Sequence, residues 1–154
     1  MPASTQFYIN GQWVDPTTPN EADVINPANE QAFATISFGT AADVDKAVTA
    51  AEAAFPAWSK SGKEERLALL DKLDAIYDRR KDEMAKAIST EMGAPIDLAT
   101  RAQTGVGQAH IKHFRKTLKD FEFEYHLNGD PNADMIIHEP IGICGLITPW
   151  NWPL

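Results

Sequence analysis

Residues 139–154 read EPIGICGLITPWNWPL, and this stretch decides the fold. Its part from 141 to 148, IGICGLIT, carries no charged side chain and is bounded by proline on both sides. A continuous apolar run between turn residues is typical of a strand covered on both faces, as in a parallel sheet. Parallel α/β sheets bind ligands at the carboxyl ends of their strands. The stretch therefore predicts an α/β fold with residues 148–151, TPWN, at the ligand-binding edge.

Asn151 is the residue of this loop whose side chain could take part in a reaction. Its side-chain amide donates two hydrogen bonds and carries no charge. Such a donor stabilises a developing oxyanion and does not titrate. An asparagine in a loop rich in proline and tryptophan can equally cap a following helix. The spacing of the residues leaves both interpretations open.

Cys144 is the only cysteine of the chain and lies inside the apolar run. A reactive thiol needs an electropositive, partly exposed setting, which this run does not supply. We therefore expect Cys144 to be a buried structural thiol. A single cysteine excludes an internal disulfide and a cysteine-based metal site, and it favours a reducing, cytoplasmic compartment.

Upstream of the run, two kinds of pattern alternate. Residues 7–14 carry the hairpin signal Asn10-Gly11 between short apolar segments, and residues 23–38 repeat the arrangement around a second turn. Residues 122–138 alternate again about a turn dense in asparagine, aspartate, glycine and proline. These segments predict three hairpins, of which the third has polar positions on both faces.

Between the second and third hairpins the apolar period becomes helical. The spacing predicts helices over residues 40–56, 61–93 and about 95–121, the first of which ends at Pro56. His110 and His113 lie three residues apart on the third helix, but no third ligand stands at a supporting position. We therefore predict no transition-metal site.

Composition and charge exclude several classes of protein. The formal net charge of −8 argues against nucleic acid or an anionic membrane surface as the main partner. The sequence has no run of eighteen apolar residues, and its first residues lack the basic and apolar regions of a secretory signal. We expect a protein without nucleic-acid or membrane partners.

The stretch EPIGICGLITPWNWPL resembles the signature of the aldehyde dehydrogenase superfamily, E-P-x-G followed by an apolar strand and P-W-N-x-P. The earlier segments FYINGQWVD and INPANEQAFATISFGTAADVDKAVTAAEAAFPAWSK are similar to the family's N-terminal hairpin and to the segment after it. The resemblance covers the whole chain. It implies the N-terminal part of the family's α/β fold, made of hairpins, long helices, an oligomerisation arm and the first strand of a Rossmann-like parallel sheet.

The same resemblance implies a division of the chain. Residues 1–121 match the N-terminal part of the cofactor-binding domain. Residues 122–140 match the hairpin arm used in subunit assembly. Residues 141–154 match the first strand and the active-site loop of the Rossmann-like sheet.

The resemblance also implies site residues. Asn151 matches the asparagine whose amide helps to form the oxyanion hole. The segment along the nicotinamide-ribose side of the cofactor matches Ile147, Thr148, Pro149, Trp150 and Asn151. On a weaker match, the backbone of Ile25 and Glu91 fall near a monovalent-cation site of some members.

In the family reaction, a cysteine thiolate attacks the aldehyde carbon, and the resulting thiohemiacetal transfers hydride to NAD or NADP. A glutamate then activates the water that releases the carboxylic acid. The family's nucleophilic cysteine and its glutamate follow P-W-N-x-P, and no residue of this sequence matches them. We expect the chain alone to be inactive and to bind neither cofactor tightly.

The complete enzyme is expected to be a homo-oligomer, a dimer or a tetramer, that acts on an aldehyde. Two alternatives remain open at this point. One is a non-catalytic assembly or binding module that reuses the arm and the helices. The other is a truncated gene product without an independent function.

Overall fold

The computed structural model describes residues 5–154 of the chain. Strands and helices alternate in blocks along the sequence. The strands are β1 (Phe7–Ile9), β2 (Gln12–Val14), β3 (Glu21–Asn26), β4 (Gln31–Ser37), β5 (Glu124–His126) and β6 (Met135–Ile137). The helices are α1 (Ala41–Trp58), α2 (Lys63–Met92), α3 (Ile96–Leu98) and α4 (Thr104–Asp120), with a π-helical turn at Ala99–Gln103 and a 3-10 turn at Leu127–Gly129. The α/β class is confirmed.

The strands pair as three antiparallel hairpins, β1 with β2, β3 with β4, and β5 with β6. In the first hairpin, Asn10 and Gly11 have φ values of 53° and 77°. Two consecutive positive φ angles are what a tight two-residue hairpin turn requires, and asparagine and glycine adopt them most easily. The three predicted hairpins are confirmed.

The long helices follow the predicted pattern with shifted ends. Helix α1 continues past Pro56 to Trp58, because a proline in the last turn removes one hydrogen bond without stopping the chain from completing that turn. Helix α2 begins at Lys63 and ends at Met92, and the φ of 79° at the following Gly93 suits the left-handed C-terminal cap.

Helices α2 and α4 pack against each other and form the centre of the molecule. Tyr77 of α2 is buried and donates its hydroxyl to the carbonyl oxygen of Thr104 at 2.8 Å. Burial raises the pKa of Tyr77 further above its ordinary value. A small apolar cluster continues this contact towards the end of α2, and its buried members are Ala85, Ile88, Ala94 and Ala99.

Gly107 permits the close approach of the two helices. A Cβ atom at this position would meet the hydroxyl of Tyr77 and would lie 3.0 Å from Cβ of Leu154. Gly105, two residues earlier on the same helix, has nothing within 4 Å of the corresponding point. Gly107 therefore lies in a closed contact that has no room for a side chain, whereas Gly105 faces open space.

We predict opposite effects of alanine at the two glycines of α4. Gly107→Ala should lower the free energy of unfolding by about 1–3 kcal/mol, because the added methyl group overpacks a closed contact. Gly105→Ala should raise it by roughly 0.5–1 kcal/mol, because alanine favours the helix and meets only open space. Urea unfolding of both variants measures the difference, and equal effects would contradict the assigned contact.

Asp43 ties the start of α1 to the loop before β3. Its carboxylate accepts hydrogen bonds from the backbone N–H and the hydroxyl of Thr40, at 2.9 and 2.8 Å. It also accepts from the backbone N–H and the hydroxyl of Thr17, at 2.8 and 2.5 Å. The Thr17 hydroxyl and the Thr40 N–H, in this order, hold the pKa of Asp43 well below its usual value. Asp43 is thus a buried acceptor that serves four donors.

Replacing Asp43 by asparagine should lower the melting temperature at neutral pH by about 3 °C, because the amide cannot accept all four bonds. The depressed pKa means that the carboxylate contributes fully above about pH 4 and loses its contribution as the pH falls from there. The difference between wild type and Asp43→Asn should therefore shrink in acid. Thermal melts across this range test it, with Asp45→Asn, an exposed aspartate of the same helix, as the control.

The strand predicted over residues 141–148 does not form in this structure. Within residues 5–154, the three sheets are closed two-stranded hairpins, and none pairs with this segment. A parallel strand needs a neighbour to take its backbone hydrogen bonds and layers to cover its faces. Without them the apolar side chains are open to solvent, and Ile141, Leu146 and Ile147 are 95%, 90% and 96% exposed.

The expectation that Cys144 is buried is wrong for this structure. The thiol is exposed, and its sulfur lies 3.9 Å from the carbonyl oxygen of Gly142. The reason is that, within residues 5–154, the segment borders open grooves beside α1 and no layer of secondary structure covers the thiol.

Among the described residues, no helix is long and apolar enough to cross a membrane.

Candidate functional site

The loop that carries Asn151 is anchored on the central helices. Residues 150 and 151 form a turn, and the backbone carbonyl oxygen of Asn151 accepts a hydrogen bond from Nε2 of Gln103 at 2.8 Å. Gln103 is the last residue of the π-helical turn and is only 2% exposed. Three residues beyond Asn151, Leu154 lies against Gly107 of α4. The end of the apolar segment is therefore fixed at two points.

The side chains of the loop remain accessible. Asn151 is exposed, Trp150 is 80% exposed and Ile147 is 96% exposed. An exposed amide beside a flat aromatic ring can donate hydrogen bonds to a ligand from an anchored backbone. Within the described residues no helix follows Asn151, so the oxyanion donor and the helix cap both remain predictions.

The electrostatic character of the segment fits one part of a dinucleotide. Residues 141–154 contain no charged side chain, and Trp150 and Ile147 present apolar surface. These features suit the uncharged ribose and the ring of a nicotinamide nucleotide. A pyrophosphate needs backbone N–H groups at a helix N-terminus or basic side chains, and the segment provides neither.

A separate groove of about 840 Å³ lies beside the third hairpin, and Asn151 is not among its lining residues. It is bordered by residues 142–144, by Trp58 of α1 and by Arg66 of α2. The guanidinium carbon of Arg66 lies 5.7 Å from the ring centre of Trp58 and 6.0 Å from that of Phe123. This cation–π arrangement joins α1, α2 and the arm, so the groove is a structural junction rather than part of the Asn151 site.

The weakly implied cation site involves two neighbouring elements. Ile25 lies on β3 and Glu91 in the last turn of α2, and α2 packs on β3. Both residues are exposed. Across residues 5–154, no three His, Cys, Asp or Glu side chains are grouped so that they could hold a metal ion. His110 and His113 are exposed on α4. The monovalent-cation site stays a prediction.

Three residues of this region were not marked by the sequence patterns as part of a site. They are Gln103, Tyr77 and Gly107, which support the loop from the central helices. Gly107 carried a signal, since glycine is unfavourable inside a helix unless a close contact requires it. For Gln103 the sequence offers no comparable signal.

Comparison with known proteins gives consistent relatives. The sequence model of the protein family described as "Aldehyde dehydrogenase family" matches residues 13–154. The chain is 47% identical over 150 residues to a 3-succinoylsemialdehyde-pyridine dehydrogenase from a Pseudomonas species, which covers 97% of this chain. It superposes with a TM-score of 0.89 at 40% identity on a mutant of aldehyde dehydrogenase C from Pseudomonas syringae complexed with NAD+ and octanal, over 97% of this chain. An aldehyde dehydrogenase from Bartonella henselae gives a TM-score of 0.83 at 46% identity over 85% of the chain.

The matched part of these relatives is limited. The chain spans 31% of the length of the Pseudomonas dehydrogenase, and 30% and 28% of the two crystallised proteins. It corresponds to their N-terminal portion.

Proposed function

Because this chain belongs to the aldehyde dehydrogenase family, we propose that it supplies the N-terminal part of an NAD(P)-dependent enzyme that oxidises an aldehyde to a carboxylic acid through a thiohemiacetal. One observation carries the proposal. The Asn151 amide is exposed, while the backbone of the same residue is held by Gln103 at 2.8 Å. An accessible donor on an anchored backbone is what stabilisation of an oxyanion requires.

Asn151 acts as an oxyanion donor in this proposal. When a thiolate adds to the aldehyde carbon, the carbonyl oxygen gains negative charge, and the amide N–H of Asn151 donates a hydrogen bond to it. The amide is neutral and keeps its donors at every physiological pH. It therefore stabilises the charge that develops in the transition state without a change of protonation state.

Ile147, Thr148, Pro149 and Trp150 are proposed to lie along the nicotinamide-ribose half of NAD or NADP, with Asn151 at the end of that surface. The uncharged and exposed character of residues 147–150 supports this role. The cofactor supplies the acceptor for the hydride that leaves the substrate. The groups that hold the adenosine half, and that distinguish NAD from NADP, match no residue of this sequence.

The third hairpin is the proposed contact between subunits. β5 and β6 pair as an arm whose base is closed by Phe121, with its ring centre 4.9 Å from that of Phe123 and 5.2 Å from that of His138. Met135 and Ile137 of the same arm are exposed. Exposed apolar residues on a two-stranded arm suit addition to another subunit. They also favour the alternative of a non-catalytic assembly module.

The single cysteine agrees with a cytosolic enzyme.

A fusion tests the proposed function directly. Residues 1–154 would be joined to the part of the Pseudomonas 3-succinoylsemialdehyde-pyridine dehydrogenase that follows its matched segment, and NAD+ and NADP+ reduction would be measured. The aldehyde panel would include octanal and the pyridine semialdehyde. We expect turnover, because a chain that is 47% identical to the segment it replaces should keep most of the packing surface between the two parts. A soluble, assembled fusion without turnover would favour the assembly module.

A further inference from the structure

Gln103 is the one buried side chain that reaches the Asn151 backbone among the described hydrogen bonds. It lies 48 residues before Asn151 in the sequence and is 2% exposed. Its Nε2 also lies 3.5 Å from Sδ of Met92, a weak acceptor at the end of α2. The strong acceptor for this amide is therefore the carbonyl oxygen of Asn151.

The orientation of the Gln103 amide follows from its partner. A backbone carbonyl oxygen only accepts hydrogen bonds, so the nitrogen end of the amide must face Asn151. The oxygen end, Oε1, is buried and has no partner in the described part of the chain. A buried acceptor without a donor is unfavourable. An apolar side chain of similar shape would thus suit the core better than glutamine does.

The base of the Gln103 side chain is rigid. Gln103 ends the π-helical turn, and the next residue, Thr104, is buried and donates its hydroxyl to the carbonyl oxygen of Thr100 at 2.8 Å. The hydroxyl of Tyr77 binds the carbonyl oxygen of Thr104. π-helical turns inside α-helices often occur at functional sites. A side chain that projects from such a fixed turn can hold its partner in one place.

We propose that Gln103 is a positioning residue for Asn151, an inference that rests on the proposed role of Asn151 as the oxyanion donor. The bond from Gln103 fixes the peptide plane after Asn151 and so restricts the direction of its Cα–Cβ bond. Leu154, packed against Gly107, holds the following residues. The amide of Asn151 then points from a fixed backbone, as an oxyanion donor must.

Backbone 15N relaxation of the 154-residue chain tests the contact itself. Gln103→Met keeps the length and shape of the side chain and removes the donor. We expect the backbone order parameters of residues 150–152 and 154 to fall to the flexible range, below about 0.6, while those of α2 stay unchanged and the melting temperature does not fall. Gln108→Met is the matched control, since Gln108 lies on α4, five residues after Gln103, and its amide donates to Asp74 at 3.0 Å. It should leave residues 150–154 unchanged.

Kinetics of the fused enzyme separate positioning from stability. Gln103→Met should lower kcat about tenfold and leave KM for NAD+ unchanged, the loss expected for one misdirected hydrogen bond. In the Asn151→Ala background the same substitution should have no further effect on kcat, because the group that it positions is absent. Additive losses, or unchanged order parameters at residues 150–154, would overturn the proposal. If Asn151→Ala alone spared kcat, the proposed function would fail even where the relaxation result held.

Discussion

Purified 154-residue chain is expected to show no aldehyde oxidation with NAD+ or NADP+, while the fusion to the remaining part of a relative turns over. The covalent route needs a nucleophile and a base, and their loss removes the route instead of slowing it. We do not expect Cys144 to replace the nucleophile, because the resemblance to the family matches it to a position inside the first strand. The measurement is absorbance of the reduced cofactor over a panel of aldehydes, and the expected contrast is turnover against background.

Cys144→Ser provides the control for this experiment. The thiol is exposed in the structure, so an aldehyde can reach it and burial would not be the reason for a lack of reaction. If the chain alone oxidised an aldehyde and Cys144→Ser abolished the activity, Cys144 would be the nucleophile and the proposed division of labour would be wrong. In the fusion, Cys144→Ser should leave turnover nearly unchanged.

The elements that sequence patterns predicted well are those stabilised by local interactions. The turn at Asn10-Gly11 and the left-handed cap at Gly93 depend on backbone conformations that few residue types adopt, so the sequence marks them directly. The helices need only an apolar stripe of the right period. The sequence marks the ends of the helices less directly, and α1 passes Pro56 because a proline in the last turn costs one hydrogen bond only.

The segment over residues 141–148 shows what local pattern leaves open. Its apolar run predicts a strand covered on both faces. The partner strands and covering helices that such a strand needs must come from parts of the sequence far from residues 141–148. Cys144 and Ile147 are exposed here because the described residues supply neither. The same limit applies to the site. Asn151 could be found from its motif, whereas Gln103 reaches it across 48 residues and left no pattern in the sequence.

Asn151→Ala in the fused enzyme is expected to lower kcat about a hundredfold, the usual loss when one oxyanion donor is removed. The substitution deletes the side-chain amide and keeps the backbone carbonyl that accepts the bond from Gln103. The anchored turn should therefore survive, and the cofactor surface over residues 147–150 should remain in place. KM for NAD+ should change little, since the lost interaction forms mainly in the transition state.

A matched control separates the oxyanion donor from a helix cap. Asn132→Ala makes the same chemical change in the exposed turn of the arm, where the Asn132 amide lies 3.2 Å from Asp130. It should leave kcat unchanged. A cap at Asn151 would instead act through stability, and its loss should lower the melting temperature with kcat preserved in the folded fraction. Reduced kcat at an unchanged melting temperature therefore excludes the cap. A loss of about a hundredfold, against about tenfold for the positioning residue Gln103, is the loss expected when the oxyanion donor itself is removed.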